Sequence, residues 1–140
     1  MKTKFSSLVK IKHSKMQESE LELQKANARL KKAKEELQKS IQELNQLQLP
    51  INGNMQEFLA QRTLQEAQQK LIQKNEQWVE FEIKQVEYAR QQFQKDMIEY
   101  EKFKYLEDEE IKKILKKLAI EESKQLDEVA IMTYKQKEAI

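Results

Sequence analysis

The chain is poor in residues that stop, staple or kink a backbone. Its 140 residues hold one proline, one glycine and no cysteine. Without cysteine there is no disulfide framework and no thiolate zinc site. One glycine cannot build a phosphate-cradling loop, which excludes a P-loop and a dinucleotide-binding turn. The single histidine, His13, cannot complete a metal cluster or a catalytic triad alone. It stands among lysines and reads as a surface residue. Nowhere do about 18 apolar residues run together, so no membrane-spanning helix is expected. The basic start, MKTKFSSLVKIKHSK, suggests a signal peptide, but Ser6, Ser7 and Lys10 break its apolar run too soon. The cytoplasm is the expected home by elimination. Charge of one sign is missing too. With 26 basic and 24 acidic residues the net charge is +2, which leaves no strong global field for nucleic acid.

What is present is charge and periodicity. The chain is 36% charged and 39% hydrophobic, against about 25% and 45–50% in ordinary globular domains. That balance suits long helices burying one narrow stripe. Disorder is the competing outcome of such a composition, but the apolar residues are periodic. Leu23, Leu30, Leu37 and Leu44 recur every seven residues, and Ala26, Ala33, Ser40 and Leu47 follow three later. This is an a/d heptad with small d residues that allow close helix approach. It extends back through Met16, Val9 and Phe5, and weakens where Ser19 and Lys12 fall at d. One helix over about 4–48 is predicted.

The two backbone breakers, Pro50 and Gly53, fall together with Asn52 in a hairpin turn, 49–54. Asn54 reads as an N-cap with Glu57 as its capping-box partner. A second helix is predicted over 55–136. Its stripe begins Leu64, Ala67, Leu71, Trp78, shifts by one residue, and continues as Val79, Ile83, Val86, Phe93, Met97 and Tyr100. The arms would be roughly 65 and 120 Å long at about 1.5 Å per residue. The predicted fold is all-α: a single coiled-coil domain over 1–140, a two-helix antiparallel hairpin with a short first helix and a long second one. If the turn sets the register symmetrically, paired residue numbers add to about 104. Leu44 then meets Ala60, Leu37 meets Ala67, and Leu23 meets Phe81. Residues 101–136 would extend beyond the first helix with an uncovered amphipathic stripe that calls for a partner.

Carboxylate pairs such as Glu35 and Glu36 lie on solvated faces, since a thin rod offers no dry pocket to tune them. EDEEIKKILKKLA, 107–119, reads first as helix support, with Asp108 to Lys112 and Glu109 to Lys113 as i,i+4 pairs. Its sharper reading is a basic amphipathic patch. The aromatic residues of the second helix cannot share one stripe, so some are expected to be exposed, and those are candidate contact anchors.

KFSSLVKIK (4–12), the Ala/Leu heptad helix, the short break, the long second helix and the late KQLDEVAIMTYK (124–135) together resemble the flagellar export protein FliJ family. Leu126, Asp127, Glu128 and Ala130 carry its LDE-x-A signature. The resemblance implies a non-catalytic antiparallel coiled coil similar to the stalk subunit of rotary ATPases, without cofactor or small-molecule ligand. It implies a place in the cytoplasm, peripheral to the inner membrane at the flagellar base. The implied partners are the hexameric export ATPase, whose assembly it promotes, the cytoplasmic domain of the membrane export gate, and export chaperones. For gate contact it implies Leu37, Ile41 and Leu44 on the first arm and Ala60, Leu64, Ala67 and Leu71 on the second, with leucine and alanine where the family places aromatic residues. Phe5 and the LDE-x-A residues are further contact candidates. A generic coiled-coil scaffold and the stalk of a virulence-type secretion system are the alternatives. A prefoldin-like hairpin would need strands, and no strand-like alternation occurs.

Overall fold

The computed structural model describes residues 2–47 and 53–138. Two helices account for nearly all of them: α1, Ser6–Gln46, and α2, Met55–Glu138. They pack against each other as an antiparallel hairpin. Pro50 and Asn52, expected in the turn, lie outside the described residues, and Gly53 is exposed and non-helical.

Both helix entries follow from local side-chain bonds. Asn54 Oδ1 accepts from the Glu57 backbone N–H at 2.8 Å, which is the N-cap predicted for α2. At the start of α1, Thr3 Oγ1 accepts from the Phe5 N–H at 3.1 Å, and Ser6 Oγ accepts from the Thr3 N–H at 2.8 Å. This is a reciprocal capping box with serine in the usual glutamate position.

The chain divides into two compact units. The first described is 16–96, which holds most of α1 and the first half of α2. The α1 heptad is the buried seam, in the predicted phase. Ala26 and Ala33 are 1% and 0% exposed, Ser19 and Ser40 are buried, and the leucines at 23, 30, 37 and 44 are half-buried. The small column is the most enclosed because it lets the backbones approach, and the leucines flank it.

On α2 the seam differs from the predicted stripe. One column of covered residues, Gln61, Gln65, Gln68, Ile72, Asn75, Val79, Glu82, Val86, Ala89, Phe93 and Asp96, runs in an unbroken alternation of four and three, with Trp78, Gln85 and Gln92 half-buried beside it. The expected phase through Val79, Val86 and Phe93 is correct. The expected shift at Trp78 does not occur, and Leu64, Ala67 and Leu71 are exposed. A continuous heptad keeps one face towards α1, whereas a one-residue shift would turn the helix by about 100°. Keeping the phase puts polar side chains in the seam, and α1 satisfies them. Asn75 donates to Ser40 Oγ at 3.2 Å and to the Glu36 carbonyl at 3.3 Å. Gln68 donates to the Ser40 carbonyl at 2.9 Å. Arg29 holds Glu82 at 3.3 Å, and Ser19 donates to Asp96.

These bonds also correct the register. Pairing centred at 104 would set Arg29 level with Asn75 and Ser19 level with Gln85. Arg29 instead reaches Glu82, and Ser19 reaches Asp96. The partner strand is displaced by about one heptad and one residue. Ala33 comes level with Val79 and Ala26 with Val86, where small residues of α1 receive larger ones of α2, and Leu23 comes level with Ala89, where the sizes are reversed. The first turns of α2, 55–60, are exposed, which the symmetric-turn assumption did not foresee.

The second unit comprises 1–15 and 97–140. Val9 is buried, with Phe5 and Lys12 half-buried on the same heptad face. His13 is half-buried and meets the Tyr100 ring at a tilt of 58° with centroids 5.1 Å apart, so it is a packed residue and not the surface one expected. Lys12 pairs with Glu99 at 3.7 Å and lies 5.6 Å from the Phe103 ring centroid. Contact with α1 therefore runs past residue 100, where it was expected to end. Asp108 and Glu107 pair back to Lys104, and Glu109 to Lys112. The Glu107 hydrogen bond, then the Asp108 charge, raises the Lys104 ammonium above its ordinary pKa. From 115 to 138 every residue is exposed.

Candidate functional site

Among the described residues, no group of His, Cys, Asp and Glu side chains is placed to hold a metal ion, and no helix is long and apolar enough to cross a membrane. The concavities are shallow, so the surfaces capable of function are helix faces.

In unit 16–96 the candidate contact residues fall into two groups. Leu37 and Leu44 are half-buried in the seam, and Ile41 is half-buried at its edge. They hold α2 in place and offer little free surface. Ala60, Leu64, Ala67 and Leu71 are exposed, with Leu64 at 55% and Leu71 at 42%. Their spacing of four, three and four matches the seam but lies one residue before it, so the strip runs beside the seam along α2. Leu71 joins Glu36, Lys39, Ser40, Glu43 and Asn75 around a cleft of about 250 Å³. Ile41 projects from the other edge of α1, since it is five residues from Glu36 and two from Glu43. The two candidate sets therefore do not form one patch.

The strip continues further than the sequence reading took it. Trp78, Phe81 and Tyr88 occupy the same two heptad positions, with Phe81 at 57% and Tyr88 at 69% exposure. Phe93, Tyr100 and Phe103 belong to the seam column and are half-buried. The aromatic residues are thus divided between core and surface, and their offset from Val79 and Val86 is the signal that separates them.

In unit 1–15 and 97–140 the remaining candidates stand apart. Phe5 is half-buried at the entry to α1, with the Lys4 ammonium 5.3 Å from its ring centroid. Leu126, Asp127, Glu128 and Ala130 are exposed on the last part of α2. Leu115, Leu118, Val129 and Met132 give the same segment a bare apolar face.

A family model described as the flagellar FliJ protein matches residues 1–139, which takes in both helices and the exposed tail. Comparison with curated proteins and with solved structures returns no significant match.

Proposed function

The chain belongs to the flagellar FliJ protein family, a component of flagellar protein export, and on that premise we propose that it is a non-catalytic stalk and adaptor of the export machinery. It promotes assembly of the hexameric export ATPase and links that ring to the cytoplasmic domain of the membrane export gate. It also binds export chaperones. It works in the cytoplasm at the flagellar base, peripheral to the inner membrane.

The observation that carries this reading is the family match over essentially the whole chain. A hairpin with uncovered apolar faces on both compact units suits an adaptor, because such faces normally find partners. Leu64, Ala67 and Leu71, with Ala60, are the gate contacts in this reading. Leu37 and Leu44 support them from the seam, and Ile41 is a separate contact on the other edge of α1. Phe5 and the segment around Leu126, Asp127, Glu128 and Ala130 serve the ATPase and the chaperones.

Mixing the protein with purified export ATPase at equal stoichiometry should raise ATP hydrolysis and the fraction of hexameric rings seen by electron microscopy. No change in either would overturn the stalk role. Immobilised gate domain should retain the protein, and Leu64→Ser with Leu71→Ser should release it while helicity stays unchanged.

A further inference from the structure

The exposed strip on α2 has a second property besides its apolar residues. Let Gln65, Ile72, Val79 and Val86 define position a of the heptad. Positions c, f and g between residues 60 and 92 then form one face, exposed except at Trp78, Gln85 and Gln92, which are half-buried. Its fifteen residues include Leu64, Leu71, Trp78, Phe81 and Tyr88, and its only charges are Lys70, Lys74 and Lys84. No acid falls on it, although Glu66, Glu76, Glu80, Glu82 and Glu87 lie in the same stretch. Glu76 and Glu82 sit at e and d, on the other side of the helix, and Glu66, Glu80 and Glu87 at b border the f column. In a chain with nearly equal acids and bases, this face is apolar, aromatic and purely basic.

Its period selects the shape of the occupant. The strip keeps the seam's alternation over about four heptads, roughly 40 Å of helix. A strip in phase with the supercoil presents itself continuously to one straight partner beside the hairpin. That partner is a third helix with its own heptad stripe, laid along the strip.

We propose that the c/f/g face of α2 between Ala60 and Gln92 docks an amphipathic helix with acidic flanks, completing a three-helix coil. Leucine-sized side chains of the partner fill the spaces between Leu71, Trp78 and Phe81. Its acidic edge lies along Lys70, Lys74 and Lys84. This deepens the gate-contact reading, since Leu64 and Leu71 belong to the face, and it names the chemistry that an occupant must carry.

The test uses the full chain and two synthetic three-heptad peptides with leucine at a and d. One carries glutamate at e and g, the other lysine, and like-charge repulsion keeps each monomeric alone. Trp78 is the chain's only tryptophan, so its emission reports occupancy of the face directly. The glutamate peptide should shift Trp78 emission to the blue and bind at least about tenfold more tightly than its lysine twin, a gap that should close with added salt. Replacing Lys70, Lys74 and Lys84 together by glutamate should reverse the order. These side chains are exposed, and circular dichroism checks that the helices persist. Equal binding of the two peptides, preference for the lysine peptide, no response of Trp78, or capture of anionic vesicles without peptide binding would each overturn the proposal. The ATPase and gate measurements do not enter, so either idea can fail alone.

Discussion

Arg29 and Glu82 offer a sharp test of how the seam is held. Glu82 is enclosed, with 6% of its side chain exposed, while Arg29 is 49% exposed and reaches it through Nε at 3.3 Å. At that separation two unit charges attract by about 5 kcal/mol in an effective dielectric near 20, and by about 1 kcal/mol in water. Half of Arg29 is in water, and Glu82 is desolvated, so the net interaction is about 1–2 kcal/mol. Arg29→Ala removes it and leaves a covered carboxylate with no cation from α1 at this layer. The expected loss in unfolding free energy is about 2 kcal/mol. Glu82→Met acts in the opposite direction. It swaps a desolvated charge for an apolar side chain of similar volume level with Leu30, and should stabilise by about 1 kcal/mol. With Met at 82, Arg29→Ala should then cost less than about 0.5 kcal/mol. Urea unfolding of the four proteins, followed by far-UV circular dichroism at neutral pH, gives the cycle. If Arg29→Ala alone costs under about 0.5 kcal/mol, or Glu82→Met destabilises by over about 1 kcal/mol, the ion pair is not what holds this layer.

Three further outcomes are expected. Asn54→Ala should lower stability by about 1 kcal/mol through loss of the α2 cap, while Asn54→Asp should be close to neutral, as read from urea midpoints. Ala33→Leu should cost about 1–3 kcal/mol, because a fully enclosed methyl leaves no room for the added carbons; calorimetry would show the drop in Tm. The absence of native cysteine makes the register testable by cross-linking. Cysteines replacing Leu23 and Ala89 should oxidise readily, whereas cysteines replacing Leu23 and Phe81 should not. The second pair sits about 12 Å further apart along the axis, beyond the reach of a disulfide.

The α1 seam was legible because its signal is doubly coded. Leucine at one heptad position and a small residue at the other fix the phase twice over, and Ala26, Ala33 and Ser40 are buried as that code predicts. The start of α2 was misread for a definite reason. Leu64, Ala67, Leu71 and Trp78 are more apolar than Gln65, Gln68 and Asn75, and hydrophobicity alone favours the wrong column. Glutamine and asparagine can occupy a seam only when donors and acceptors meet them. Ser40, Glu43 and the Glu36 carbonyl do so from across the interface. A one-strand reading cannot see such partners. The register failed with it, because once the α2 column moves by a residue the nearest matching layer lies a heptad away. Of the contact candidates, the exposed set on α2 and the enclosed set on α1 shared one spacing, so periodicity could name them but could not say which were free.

The unequal seam also sets how each helix can vary over evolutionary time. The α1 column of Ser19, Ala26, Ala33 and Ser40 is limited by volume: almost any larger residue pushes the helices apart, whatever its polarity. The α2 column level with the α1 leucines already mixes glutamine, asparagine, glutamate, alanine and aspartate, so it is limited by whether a partner group is within reach. Substitutions in the first helix should therefore be filtered by size and those in the second by compensation. Related chains should drift in α2 through paired changes while α1 stays small at every seventh residue.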